Sequence, residues 1–146
     1  MTEKGVDILL VEDNPNDVEL ALDALKEAKL ANRIQVVRDG EEALAFLFRQ
    51  GAYANRPDQL PKLILLDLKL PKITGLEVLA QIRADEHLQL LPVVMMTSSR
   101  EERDIIESYR LHVNSYIVKP VDFEQFTASV RQIGFYWLLL NEPPTT

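Results

Sequence analysis

Five short apolar runs divide the chain, and most of them lack the polar alternation of a strand with one solvent-exposed face. Parallel strands that are covered on both faces have this pattern. The stretches between the runs carry apolar residues at helical spacing, as at Val18, Ala21, Leu22 and Leu25. The runs therefore predict strands at residues 8–11, 34–37, 63–66, 93–96 and 116–118, each followed by a helix.

Capping residues mark where the predicted helices begin. An oxygen of the capping side chain accepts a hydrogen bond from the first helical turn, and a Glu or Gln three residues later can bond back to the cap. Asn14 precedes Pro15, a residue that suits the first helical position. The other predicted pairs are Asp39 with Glu42, Thr74 with Glu77, Ser99 with Glu102, and Asp122 with Gln125.

This alternation predicts a single α/β domain, a (βα)5 doubly wound sheet with helices on both faces. The flavodoxin-like order 2-1-3-4-5 is expected for its five parallel strands, with a site beyond their carboxyl ends, between the first and third strands. The 146 residues suffice for one domain, with its core at residues 5–140 and a short polar, proline-containing tail at 141–146. Residues 51–62, with Pro57 and Pro61, are predicted to form a surface loop.

Composition excludes several classes of function. The 23 acidic and 16 basic residues give a net charge of -7, which disfavours binding to a nucleic-acid backbone. The absence of cysteine excludes disulfides and thiolate catalysis. The longest apolar run, residues 133–140, is too short to cross a bilayer, and residues 1–11 lack the basic flank of a signal peptide. We therefore expect a cytoplasmic protein that binds neither nucleic acid nor membrane.

Residues with phosphoryl-transfer chemistry stand at the predicted carboxyl ends of four strands. Glu12 and Asp13 follow the first strand, Asp67 the third, Thr97 the fourth and Lys119 the fifth. The fold brings these ends together. Three carboxylates repel each other and one lysine leaves the cluster negative, so we expect a divalent cation, for which Mg²⁺ is the natural choice.

Given that site, Asp67 is the central carboxylate and can act as a nucleophile that forms an acyl phosphate. A metal held by Asp13 and Asp67, with Glu12 acting through water, would offset charge on the phosphoryl oxygens. Lys119 would cover another oxygen, and Thr97 can donate its hydroxyl to the remaining one. Each residue alone has an ordinary structural explanation, such as a cap or a surface amine. Their occurrence at successive strand ends favours a site.

Four segments share a known pattern: LVEDN at residues 10–14, LDLKLP at 66–71 with Gly75, MTS at 96–98 and KP at 119–120. With them, the chain closely resembles response-regulator receiver domains over nearly its whole length. The resemblance implies that Asp67 takes phosphate from a histidine kinase, that Glu12 and Asp13 bind Mg²⁺, for which Mn²⁺ can substitute, and that the backbone carbonyl of Lys69 completes the metal shell.

The same resemblance implies a switch pair, Thr97 and Tyr116. The hydroxyl of Thr97 would move onto the phosphoryl group, and the ring of Tyr116 would turn inward to fill the space. Lys69 and Ser99 occupy positions that tune dephosphorylation in the family. The Lys119–Pro120 peptide is typically cis in these proteins, and only an X-Pro bond reaches cis at low cost.

A narrower resemblance is to the small response regulators paired with cyanobacterial phytochromes. It is carried by the loop at residues 51–62 and by the tail FYWLLLNEPP at 135–144. It implies a phytochrome-type histidine kinase as partner. His87 and His112 have no partner at ligand spacing, and we assign them no role.

Two alternatives stay open. A flavin carrier needs a glycine- and hydroxyl-rich phosphate loop after the first strand, where residues 12–15 would instead repel a phosphate without a metal; a P-loop is also absent. A haloacid-dehalogenase-like phosphatase requires a second Asp at the position of Lys69, so hydrolysis is limited to slow self-dephosphorylation.

The other alternative is a degenerate receiver that binds partners without phosphorylation. The chain ends soon after the fifth helix, so we expect no output domain and an output through protein–protein contact, a relay or a phosphate sink.

The last predicted helical turns indicate a homodimer. Phe135, Tyr136, Leu138 and Leu139 make this segment apolar on nearly every side. Each aromatic side chain offers about 150–250 Å² of surface, so exposing them all exceeds the apolar patch usual for a monomer. A closed two-fold pair is the commonest way to cover such a patch.

We predict that sedimentation at micromolar concentration will show a dimer in at least one phosphorylation state, and that Tyr136→Asp combined with Leu139→Asp will convert it to a monomer. The alternative is that the tail folds back over its own domain. A monomer in both phosphorylation states, or a dimer that the double variant leaves intact, would contradict the prediction.

Overall fold

The computed structural model describes residues 6–28, 33–57, 59–119 and 123–134. These residues form five strands that alternate with five α-helices, as the sequence predicted, with one turn of 3-10 helix at Gly51–Tyr53 before the third strand. The elements are β1 Ile8–Val11, α1 Pro15–Ala28, β2 Ile34–Val37, α2 Gly40–Leu47, β3 Leu63–Leu66, α3 Gly75–Ala84, β4 Val93–Thr97, α4 Glu102–Arg110, β5 Ser115–Val118 and α5 Phe123–Gly134.

The five strands are parallel and lie in the order β2-β1-β3-β4-β5, which confirms the predicted flavodoxin-like, doubly wound fold. Strand order reverses between β1 and β3, whose last residues, Val11 and Leu66, are paired. In an open α/β sheet the crevice beyond such a reversal is the usual place for a site. The fold therefore directs the residues that follow β1 and β3 into one crevice.

Successive strand residues point to opposite faces of the sheet and feed two separate cores. On one face Leu9, Ile64 and Met95 are buried with residues of α2 and α3, and on the other Ile8, Leu65 and Met96 are buried with residues of α1. α1 packs against α5, whereas α3 packs against both α2 and α4. Because helices cover both faces, the central strands β1 and β3 consist entirely of apolar residues.

Two predicted helix caps are confirmed, and so is the role of Asn14. The Asp39 carboxylate accepts from the Glu42 N–H at 2.8 Å, and the Thr74 hydroxyl accepts from the Glu77 N–H at 3.2 Å. The Asn14 side chain accepts from the N–H groups of Asn16 and Asp17. Asp122 lies outside the described residues.

The predicted cap at Ser99 is wrong. α4 begins at Glu102, and its cap residue Glu101 makes no side-chain capping bond. The Ser99 hydroxyl instead donates to the carboxylate of Asp104 at 2.6 Å and accepts from the Glu101 N–H at 3.3 Å. Ser99 lies two residues before the cap position, so its oxygen accepts from the N–H of the cap residue rather than from the first helical turn, while its proton satisfies the buried Asp104 carboxylate.

The loop at residues 51–62 is largely exposed, as predicted, but it is tied to the end of α2. The guanidinium of Arg56 donates to the carbonyls of Phe46 at 2.6 Å and Leu47 at 3.3 Å, and it lies 4.4 Å above the Phe46 ring. Carbonyls in the last helical turn lack helical partners, so a side chain that supplies donors stabilises the helix end.

Arg83 of α3 ties the loops that precede β4 and β5. Its guanidinium donates to four backbone carbonyls and one side-chain oxygen at 2.8–3.2 Å, which uses the planar fork of donors that distinguishes Arg from Lys. The acceptors are the carbonyls of Gln89, Leu91, Leu111 and His112 and the side chain of Asn114.

No helix within the described ranges is long and apolar enough to cross a membrane. Besides the cap at Asp122, three further predictions fall on residues that the structure does not describe. They are the dimer surface at Phe135, Tyr136, Leu138 and Leu139, the tail at 141–146, and the peptide bond to Pro120.

Candidate functional site

Backbone hydrogen bonds carry the sheet one residue past the strands and so fix where the site residues start. The N–H of Glu12 donates to Val37, and the N–H of Asp67 donates to Val11, each at 3.0 Å. The N–H of Lys119 donates to the carbonyl of Thr97 at 2.8 Å. The side chains of Glu12, Asp67 and Lys119 therefore leave rigid, neighbouring strand ends.

The structure brings together the three carboxylates that the sequence singled out. One oxygen each from Glu12, Asp13 and Asp67 lies within 4.8 Å of the others. Glu12 and Asp67 are buried, whereas Asp13 is exposed, so the cluster has a closed floor and an open mouth. The candidate ligand atoms of these three residues are all carboxylate oxygens, and such a donor set fits a hard divalent cation such as Mg²⁺ or Mn²⁺.

Lys119 supplies the positive charge of the cluster, and its side chain is 12% exposed. Its ammonium donates to the carboxylate of Glu12 and, at 2.9 Å, to that of Asp17. The distance from Nζ to the nearer carboxylate oxygen of Asp67 is 3.7 Å, which is an ion pair but not a hydrogen bond. The ammonium is thus shared among three acids.

Both members of the buried ion pair hold their protons more tightly than usual. Burial raises the pKa of Glu12 from 4.5 to about 7; the hydrogen bond from Lys119 opposes this rise, and the charge of Asp67 adds to it. Burial alone would lower the pKa of Lys119, but hydrogen bonds to Glu12 and Asp17 outweigh it, and the pKa is raised. Both shifts relieve the excess negative charge.

Thr97 and Tyr116 are linked through the backbone of Ser99. Thr97 is fully buried, and its hydroxyl oxygen accepts from the Ser99 N–H at 3.3 Å. The Tyr116 hydroxyl donates to the Ser99 carbonyl at 3.0 Å, and its half-buried ring packs against the core beneath α3. Thr97 and Tyr116 are therefore connected through the backbone of a single residue, Ser99, whose N–H bonds the first side chain and whose carbonyl bonds the second.

The loop after β3 is held close to Asp67 by a glycine. The N–H of Gly75 donates to the carbonyl of Leu68 at 2.8 Å. A Cβ at Gly75 would lie 2.2 Å from the Asp67 carbonyl oxygen, far inside van der Waals contact. Lys69 follows in the same loop, and its N–H lies 3.5 Å from a carboxylate oxygen of Asp67. The loop backbone thus stays against the carboxylate.

Two residues of the site were not predicted from the sequence. Asp17 is the third residue of α1, and its position in a helical turn that begins just after the acid pair was the available signal. Asp104, which holds the Ser99 hydroxyl, gave no signal, because an acid in a first helical turn usually serves the helix dipole. His87 and His112 join no metal-ligand cluster among the described residues.

The fold and this cluster define a class of protein. The family model of the response regulator receiver domain matches residues 8–131, and the chain belongs to that family. It is therefore a receiver-domain response regulator of a two-component system, which is a signalling protein.

Within the family, this chain matches several relatives over most of their length. Response regulator Rcp1 of Synechocystis sp. is 45% identical over 131 residues, 90% of this chain and 88% of Rcp1. The crystal structure of its Mn²⁺-bound form has a TM-score of 0.86 and 43% identity, and the match covers 94% of this chain and 98% of that chain.

Two further solved structures come from phytochrome systems. The phosphorylated cyanobacterial phytochrome response regulator RcpA has a TM-score of 0.87 and 45% identity, with 94% of this chain and 97% of that chain covered. The bacteriophytochrome response regulator AtBRR has a TM-score of 0.76 and 54% identity, with 95% and 100% covered. This chain is thus similar to response regulators of phytochromes.

We predict that the stability of the metal-free protein decreases as pH rises from about 4.5 to about 7. Over that range the folded state keeps a proton on Glu12 that the unfolded state has lost. The stabilisation from this proton is fully present below pH 4.5, the pKa of Glu12 in the unfolded state. It is lost as the pH rises through about 7, the pKa of Glu12 in the folded state. Glu12→Gln should flatten this dependence.

The measurement is the free energy of unfolding in urea at several pH values in the presence of a chelator. Glu19→Gln, an exposed acid on α1, is the control and should keep the wild-type slope. Parallel pH profiles for wild type and Glu12→Gln would contradict the prediction.

Proposed function

We propose that residues 1–146 act as one receiver domain in which Asp67 accepts a phosphoryl group from a histidine kinase, with Mg²⁺, and that phosphorylation switches protein–protein contacts. One observation carries the proposal. The Asp67 carboxylate lies within 4.8 Å of two further acids and 3.7 Å from an ammonium. A nucleophile between a metal-binding pair and a cation meets the electrostatic needs of phosphoryl transfer.

The metal would be held by this chain's oxygens. Asp13 and Asp67 would be direct ligands, Glu12 would act through water, and Lys69 would add its backbone carbonyl. When bound, Mg²⁺ or Mn²⁺ neutralises charge on the phosphoryl oxygens. The oxygen-only donor set supports this assignment, and so does the Mn²⁺-bound form of Rcp1.

In the proposed step, a carboxylate oxygen of Asp67 attacks the phosphorus of a phosphohistidine. The phosphorus–nitrogen bond breaks, its electron pair returns to the imidazole, and an aspartyl phosphate forms. Lys119 neutralises one phosphoryl oxygen, and Thr97 donates its hydroxyl to another. Slow hydrolysis, in which a water oxygen attacks phosphorus, releases inorganic phosphate and restores the carboxylate.

The kinase would be of the phytochrome type. Support comes from RcpA and AtBRR, which are named as response regulators of a phytochrome and a bacteriophytochrome. We also propose that the protein forms a homodimer through its C-terminal helix region. The apolar sequence at residues 135–139 supports this. Protein–protein contact is then the output of the switch.

The proposed switch passes from the phosphoryl group to α4. Phosphorylation gives the proton of the Thr97 hydroxyl a charged acceptor, and movement toward that acceptor would stretch the bond that the hydroxyl oxygen accepts from the Ser99 N–H. Ser99 contacts Tyr116 through its carbonyl and α4 through Asp104. A small displacement of the Thr97 hydroxyl is therefore coupled to an aromatic ring and a helix.

We predict that acetyl phosphate with Mg²⁺ adds one phosphoryl mass to the wild-type protein and none to Asp67→Asn. The amide cannot act as the nucleophile. Intact-mass spectrometry at mild pH measures the product. Asp23→Asn, an exposed aspartate on α1, is the control and should be labelled like wild type. Stable labelling of Asp67→Asn, or labelling that excess chelator leaves unimpaired, would refute the assignment.

We predict that Thr97→Ala accepts the phosphoryl group but does not undergo the conformational change that phosphorylation causes in wild type. The variant lacks the hydroxyl that would move to bind a phosphoryl oxygen. Amide hydrogen exchange across α4, with and without phosphorylation, measures the switch. Ser98→Ala removes the neighbouring exposed hydroxyl and should preserve the wild-type response. A full phosphorylation-dependent shift in Thr97→Ala would exclude this mechanism.

A further inference from the structure

Asp17 lies outside the acidic cluster of Glu12, Asp13 and Asp67, yet it contacts the lysine of the site. Its carboxylate oxygen is 2.9 Å from the ammonium of Lys119, whereas the nearer oxygen of Asp67 is 3.7 Å away. The ammonium is therefore bound toward α1 rather than toward the carboxylate that we propose as phosphoacceptor. A phosphoryl group on Asp67 would have to attract it across this gap.

The start of α1 holds Asp17 beside Lys119. Pro15 begins α1, and the Asn14 side chain accepts from the N–H of Asp17 at 3.2 Å, which fixes the first helical turn. The Asp17 side chain is 34% exposed, so it forms one wall of the crevice while staying in contact with water.

We propose that Asp17 is a positioning residue that competes with the phosphoryl group for the ammonium of Lys119 and so slows phosphorylation of Asp67. The inference rests on the proposed function. The ammonium must move toward Asp67 to hydrogen-bond an incoming phosphoryl oxygen, and stretching its charge-assisted hydrogen bond to Asp17 adds to the barrier.

Removal of the competitor should therefore accelerate the reaction. Asp17→Asn should be labelled by acetyl phosphate about three- to tenfold faster than wild type at saturating Mg²⁺, a modest factor because the pair is partly exposed. Asp17→Glu keeps the carboxylate and should stay near the wild-type rate. Asp23→Asn makes the same change of charge on an exposed position of α1 and should also stay near it.

A double-variant cycle separates competition for Lys119 from a general effect of charge. The initial rate of labelling is measured by mass spectrometry for Asp17→Asn in the wild-type background and in Lys119→Gln. If Asp17 acts through the ammonium, the acceleration is present in the first background and absent in the second. The binding of Mg²⁺, measured by calorimetry, should differ little between wild type and Asp17→Asn.

The outcomes are distinct. A rate for Asp17→Asn at or below that of wild type would overturn the inference, and a slower rate would identify Asp17 as a guide for Lys119. An acceleration that persists in Lys119→Gln would also overturn it. Both results leave the proposed function intact, since wild type is still labelled at Asp67. A wild-type protein that is not labelled at Asp67 would overturn the proposed function and this inference with it.

Discussion

The site depends on one ammonium shared among several carboxylates. Lys119 contacts Glu12 and Asp17 and lies 3.7 Å from Asp67, while Asp13 adds a further negative charge at the mouth of the crevice. One positive charge cannot balance this set. Burial raises the pKa of Glu12, and the negative charge of Asp67 adds to the rise. A cluster with an excess of negative charge favours the binding of a cation. A new anion at Asp67 would have to compete with Glu12 and Asp17 for the ammonium of Lys119.

The fold supplies the stability that such a cluster of charges requires. Parallel strands with helices on both faces place the ends of β1, β3, β4 and β5 at one edge, where Glu12, Asp67 and Lys119 stay attached to the backbone ladder. The apolar cores on both sides of the sheet stabilise the domain, so charged groups can gather at its edge at a local cost. Thr97 and Tyr116 both bond the backbone of Ser99 for the same reason, since β4 and β5 are paired.

Sequence predicted the strands, their order and the acid cluster, because unbroken apolar runs and strand-end residues are local signals that the topology converts into proximity. It predicted the caps at Asp39 and Thr74, which depend only on spacing. It failed at Ser99, whose hydroxyl is taken by Asp104, and it did not find Asp17, whose partner is distant in the chain. Both depend on which of several donors and acceptors meet after packing, and spacing does not encode that choice.

We propose that an anion on Asp67 draws the ammonium of Lys119 away from the acids that hold it. A crystal structure of the protein with Mg²⁺ and beryllofluoride, a mimic of the phosphoryl group, tests this proposal. We expect beryllium bonded to Asp67, the Lys119 ammonium within about 3 Å of a fluorine, and its contact with Asp17 broken. Beryllofluoride on Asp67 with Lys119 still bound to Asp17 and Glu12 would contradict it.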